Sequence, residues 1–224
     1  WANMYDSADG QLARMTGQKS EIGRILDGVS GDFWFISIYA AICLRLTPEW
    51  SYWIWILAAV TGLCHSKQAA MADYYRNIHL FFLKGKSGSE LDNYVQQKAI
   101  YNSLSWKKDF IRKLFLWFYC DYTRSQERLT PAFQRFFALL QQRYGAVAPQ
   151  EIRDEFRRES LPLMKYTNIL SFNTRVTVLF ISLLINEPWL YFVFELTVLN
   201  GLLIYMIWQH ERLSNKLYKE IQMS

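Results

Sequence analysis

Four aspartates stand in one short stretch of the chain: Asp6, Asp9, Asp27 and Asp32 in DSADGQLARMTGQKSEIGRILDGVSGD, residues 6–32. Read as helix, turn, helix, Asp6 and Asp9 lie three apart on one helix face, and a second helix entered near Gly23 brings Asp27 beside them. Carboxylates so close repel one another. A divalent cation with a taste for hard oxygen ligands, Mg2+ or Mn2+, is the usual remedy. Small residues fill the places between: Gly10 and Ala13, followed by Arg14. A set of solvated acids at a helix end would not require them.

The elements that must hold these residues are helices in a membrane. The chain has 224 residues, 51% of them apolar and 17% aromatic. Its mean hydropathy of −0.05 hides a division between charged stretches and four nearly charge-free ones. Phe33 to Leu46 and Ser51 to Cys64 form one pair of apolar segments, Asn168 to Ile185 and Pro188 to Trp208 another. The first pair is short, but extension upstream to Gly23 and downstream to Leu83 takes both members past the roughly 20 residues a bilayer needs. The turns TPEW and NEPW carry no Lys or Arg, so each pair is predicted to be a transmembrane hairpin. Lys and Arg collect in the motif region, in 84–175 and in 212–219, which by the positive-inside rule puts these on the cytoplasmic side and the turns outside.

Between the hairpins, Lys84 to Lys165 carries aromatic and Leu residues at helical spacing and is predicted to be a helical insertion. Trp106 to Tyr122 reads as a basic amphipathic helix with Trp106, Phe110, Leu114 and Trp117 on one face, suited either to an anionic membrane surface or to the insertion's own core. Thr130-Pro131 marks a helix start and Gly145 a stop, predicting a helix over 131–144, and Pro149 opens a more charged one. Cys43, Cys64 and Cys120 show no metal-ligand spacing, and Cys43 and Cys64 read as small hydrophobes.

The pattern D-x2-D-G-x2-A-R-x8-G-x3-D, from Asp6 to Asp27, resembles the signature of the CDP-alcohol phosphotransferases, membrane enzymes that build phospholipid head-group linkages. Chance agreement at these positions, with the displaced Asp32 counted as the eighth, is on the order of one in ten million per chain at average residue usage. The resemblance implies an all-α polytopic bundle of six spans. Here the first span and part of the second are expected to lie upstream of Trp1, since WANMY reads as the tail of a helix. The expected organisation is a first membrane part at 1–83, a cytoplasmic insertion at 84–167, a second membrane part at 168–208 and a cytoplasmic helix at 209–224. The protein is expected in the cytoplasmic (inner) membrane with its active site facing the cytoplasm, as a homodimer among membrane lipids, with no nucleic-acid partner.

By the same resemblance the reaction moves a phosphoalcohol from a CDP-alcohol to the hydroxyl of a second alcohol and releases CMP. The donor is expected to be CDP-diacylglycerol and the acceptor a small polar alcohol, inositol phosphate first. Asp6, Asp9, Asp27 and Asp32 are the implied ligands of a two-metal Mg2+ or Mn2+ site, with Asp32 also the base for the acceptor hydroxyl. Gly10, Ala13, Arg14 and Gly23 are implied in binding the nucleotide and letting the motif helices touch. The family's last Asp follows the third by four residues, whereas here that place is Gly31 and the Asp comes one later. Five residues of regular helix turn a side chain about 140° away, so a one-residue π-bulge over 28–31 is predicted to restore the facing. The opposing expectation is a catalytically silent homologue that binds nucleotide or metal in an assembly.

After Cys64 the second span becomes polar, with His65, Gln68, Ala72 and Arg76 on one face. Lys67, Arg76 and Arg175 are candidate cations for a phosphorylated acceptor. Glu195, alone in the last span, is expected to make interhelical hydrogen bonds. A DxxD element also occurs in membrane prenyltransferases, for which Asp73 would be only a weak second motif.

Overall fold

Runs of apolar residues bounded by a few turn residues give helices throughout the described part of the chain. The structure is a computed structural model and describes residues 11–12, 15–16, 21–85, 89, 91–145 and 147–223, with the backbone alone at 21–30 and 32. Asp6, Asp9, Gly10, Ala13 and Arg14 lie outside the described residues.

The first hairpin pairs α1 (Glu21–Trp50) with α2 (Trp53–Lys84). TPEW was expected to be its turn, but α1 runs on through Pro48 and the chain reverses at Ser51 and Tyr52. Pro48 gives up one N–H and crowds the Leu44 carbonyl with its ring, and Thr47 ties that turn by donating from Oγ1 to the Cys43 carbonyl at 2.6 Å. Ser51 takes a positive φ of 55° to make the reversal. The second hairpin joins α8 (Phe172–Leu184) to α9 (Trp189–Phe194), and Asn186, with φ 64°, turns it. The two turns lie side by side: Arg45 donates to the Asn186 side chain, and the Trp50 and Trp189 rings stand 5.5 Å apart. Aromatic residues at one end of a bundle are the expected mark of a membrane–water boundary.

The stretches Gln150–Leu184 and Trp189–Met223 are each long and apolar enough to cross a membrane. Outward-facing Phe33, Trp34, Ile36, Leu63, Phe180 and Ile204 leave an apolar exterior of the kind lipid covers. Beyond α9 a π turn at Glu195–Leu199 leads without a break into α10 (Asn200–Met223). The predicted division at residue 209 falls inside this helix.

The insertion folds as α3 (Tyr94–Ser103), α4 (Phe110–Leu129), α5 (Pro131–Tyr144) and α6 (Gln150–Ser160), followed by a 3-10 turn and α7 (Met164–Ile169). The bounds of α5 are those expected from Thr130-Pro131 and Gly145, whose φ of 70° ends the helix. The helix expected from Trp106 begins instead at Phe110. Trp106 to Lys108 form a turn in which Asp109 donates its N–H to the Ser105 carbonyl and accepts from the Ser105 N–H. Its buried face holds Lys113, Leu116 and Cys120, whereas Trp106, Phe110 and Trp117 stay exposed. Trp106, Phe110 and Trp117 therefore stay outside the insertion's own core, while Leu114 is half-buried and Lys113 is buried, donating to the Leu104 carbonyl at 2.6 Å. Burial pushes the Cys120 thiol above its usual range.

Two hydrophobic cores result. One, in the hairpins, gathers Phe35, Tyr39, Ile42, Leu46, Ile54, Leu179 and Phe192; the other joins the C-terminal half of α2 and the length of α10 to the insertion through Phe82, Phe133, Phe136 and Phe156. The Phe82 and Phe156 rings stack at 4.0 Å. The start of α5 is held by a carboxylate from α10: Glu211 accepts from the N–H groups of Ala132 at 2.6 Å and Phe133 at 3.1 Å. Two otherwise orphaned donors are satisfied by a charge at the positive end of the helix. Glu211→Ala is expected to lower stability by about 1–2 kcal/mol and Glu211→Gln by less. Thermal unfolding in detergent measures this, and an unchanged midpoint for Glu211→Ala would count against the cap.

Candidate functional site

The motif reaches the described structure through α1, which carries Gly23, Asp27 and Asp32 in its first three turns. The backbone is α-helical through this whole stretch, so the π-bulge expected over 28–31 is not there. Positions 27 and 32 are accordingly about 140° apart around the helix and about 7.5 Å apart along it. The buried stripe of α1 comprises Phe35, Tyr39, Ile42, Cys43 and Leu46. Position 32 falls about 20° from Tyr39 and about 60° from Phe35, inside that stripe, whereas position 27 lies about 120° from Tyr39, on its margin. Position 32 thus joins the inward face of a regular helix without any distortion.

One and two turns deeper, the inward face meets a buried polar network. Arg175, 1% exposed, donates from Nη1 to Glu195 Oε1 at 2.5 Å and to His65 Nδ1 at 2.8 Å, from Nη2 to Gln68 Oε1 at 2.7 Å, and from Nε to the Leu170 carbonyl at 3.3 Å. The hydroxyls of Tyr39 and Tyr191 donate to the two Glu195 oxygens, the second at 2.5 Å. Gln68 donates to the Glu195 carbonyl at 3.0 Å and to Asn200 Oδ1 at 2.7 Å. That carbonyl lies where the helix widens into its π turn, so the distortion expected in α1 occurs instead in the last span, braced by a side chain from α2. Glu195 makes the interhelical hydrogen bonds its isolation implied. Tyr39 and Tyr191 escaped sequence reasoning, and their only signal was a hydroxyl inside an apolar run.

The three candidate cations do not share one pocket. Arg175 is enclosed by the network, with its donors directed to protein acceptors. Lys67 Nζ donates to Ser125 Oγ of α4 at 2.8 Å, and Arg76 is exposed about half a turn round α2 from it. Nine residues of helix separate those two in sequence, which sends them to opposite faces. Asp73 accepts from Asn77 at 3.2 Å and Tyr122 at 3.3 Å, and works as a local acceptor.

Among the described residues no three His, Cys, Asp or Glu side chains gather as a metal site. The motif's own donors are hard carboxylate oxygens with no Cys or His among them, a set that fits Mg2+ or Mn2+ and not a thiolate-seeking metal.

No curated protein and no solved structure matches the chain. Residues 1–82 match the family model described as CDP-alcohol phosphatidyltransferase, a segment that takes in the whole aspartate motif, α1 and nearly all of α2.

Proposed function

We propose, from the match of residues 1–82 to the family model described as CDP-alcohol phosphatidyltransferase, that the chain transfers a phosphatidyl group from CDP-diacylglycerol to a small polar alcohol and releases CMP. The observation that carries the reading is the unbroken motif from Asp6 to Asp27 joined to a helix whose position 32 falls on the inward stripe. A lipid-linked donor suits a site opening sideways into a leaflet, and inositol phosphate is the first-choice acceptor.

The parts divide by chemistry. Asp6, Asp9 and Asp27 would hold Mg2+ or Mn2+, which when bound supplies positive charge to the pyrophosphate and the leaving CMP. Arg14 meets the donor phosphates with its planar fork. Gly10 and Ala13 keep the backbone open to the nucleotide, and Gly23 lets the two motif helices approach. Asp32, set apart from Asp27 around the helix, takes the proton of the acceptor hydroxyl as its oxygen attacks the phosphorus that carries the lipid. The P–O bond to CMP breaks, and CMP leaves with that bond's electron pair. Separate faces for base and metal ligands remove any need for a bulge. The exposed Trp106, Lys107, Lys108, Phe110 and Trp117 suit an anionic lipid surface.

The test is direct. Purified full-length protein is incubated with CDP-diacylglycerol, Mn2+ and a panel of inositol phosphate, glycerol phosphate, serine and inositol, and CMP is followed. CMP release that depends on one alcohol, falls to background with EDTA and returns with Mn2+ is the expected result. No CMP with any acceptor would sink the transferase reading.

A further inference from the structure

We infer that His65 is a substrate-positioning residue, whose Nε2–H donates a hydrogen bond to an oxygen of the acceptor alcohol. The inference rests on the transferase reading and deepens it. It begins with the neighbour of the ring. The guanidinium of Arg175 stands 2.8 Å from His65 Nδ1, and a guanidinium has donors only. Nδ1 must therefore present its lone pair, and the ring proton sits on Nε2. The contact of Nδ1 with Glu195 Oε1 at 3.3 Å then joins two acceptors held together by the Arg175 proton donor between them, not an ion pair.

The free pole of the ring is equally defined. Among the described residues every polar contact of His65 falls on Nδ1: Tyr39 at 3.2 Å, Arg175 and Glu195. Nε2 is absent from the buried polar atoms left without partners among the described residues, and the side chain keeps 8% of its surface open. An N–H donor thus faces residual open space from inside a bundle core, where a lasting unpaired donor is costly. The ring also packs on Phe35 at 4.2 Å between centroids, and Phe35 is one turn from position 32. An alcohol whose hydroxyl reaches Asp32 therefore lies within a helical turn of this donor. Arg175 serves here as a positioning residue, fixing the tautomer that gives His65 its donor.

Two substitutions separate this role from a structural one. His65→Asn keeps an acceptor near Nδ1 for Arg175 but removes the donor at Nε2; His65→Gln keeps an N–H near Nε2 but loses the Nδ1 acceptor. The expected result is a KM for the acceptor at least about tenfold higher in His65→Asn, with the KM for CDP-diacylglycerol unchanged, and a near-parental acceptor KM in His65→Gln. A purely structural histidine gives the reverse order in both KM and unfolding temperature, and that order would overturn the inference. A second readout needs no turnover: the 15N spectrum of histidine-labelled protein in Mg2+, with His65 assigned by its loss in His65→Gln. Protonation at Nε2, and an Nε2 resonance moved by the alcohol that supports CMP release, is expected. An Nδ1–H tautomer, or an Nε2 resonance unmoved by each of the four alcohols, would also overturn it. If the parent releases no CMP the transferase reading fails, and the tautomer and the titration still decide whether His65 offers its donor to an alcohol.

Discussion

Asp27→Asn is expected to lower CMP release by about a thousandfold or more, and Asp32→Asn by about a hundred- to ten-thousandfold through a different step. On the proposed reading, the first substitution removes one charge from the ligand set that neutralises a pyrophosphate. An amide oxygen is a poorer ligand for a hard divalent ion, so part of the loss in Asp27→Asn should be recovered by raising Mn2+. The second removes the proposed base, a role worth about 10²–10⁴ in rate, and no added metal should recover it. The regular backbone of α1 is what makes this a real distinction, since it puts positions 27 and 32 about 140° apart. Measuring CMP release against Mn2+ concentration for both variants settles it. Identical metal dependence would merge the two roles, and parental activity in Asp32→Asn would show that another group takes the proton.

Arg175→Met should be the most damaging single change to the fold. It leaves Glu195, fully buried, without its guanidinium and with only two tyrosine hydroxyls and the His65 ring at 3.3 Å as partners. Breaking a buried pair by removing one partner costs about 3–5 kcal/mol, because the remaining charge has no water to turn to. The loss also cuts a tie between hairpins, as Arg175 and Glu195 come from the second and Gln68, His65 and Tyr39 from the first. Unfolding in detergent should begin well below the parental midpoint. Adding Glu195→Gln to Arg175→Met should restore part of the stability, because it removes the stranded charge. A double variant no better than the single would mean that the charge itself is not the problem.

Much of the fold could be read from residue order because local physics decides it. Proline at a first helical turn and glycine at a positive φ set the ends of α5 wherever that helix packs, and both ends are where Pro131 and Gly145 imply. The two helical hairpins follow from apolar runs joined by short turns, but among the described residues only the two arms of the second are long and apolar enough to cross a membrane, and the arms of the first, also expected as spans, are not. Errors came where a local signal competed with a tertiary one. Pro48 suggested a turn, yet packing carries α1 past it. Trp106 suggested a helix start, yet Ser105 and Asp109 close a turn first.

The aspartate spacing was likewise legible from the sequence alone, because it is set by residues close in the chain, and the family model matches over the segment that holds it. The one-residue displacement of Asp32 was legible too, but its meaning was not. Whether position 32 faces inward depends on which stripe of α1 the other helices bury, a choice made by contacts with α2 and the second hairpin. The same holds for Arg175, which looked like a ligand-binding cation and instead neutralises Glu195, twenty residues away in sequence and on the other arm of its hairpin. A lone charge in an apolar span states in sequence that it needs a partner. Only the packing of the spans, where an unpaired charge is too costly to keep, names which one.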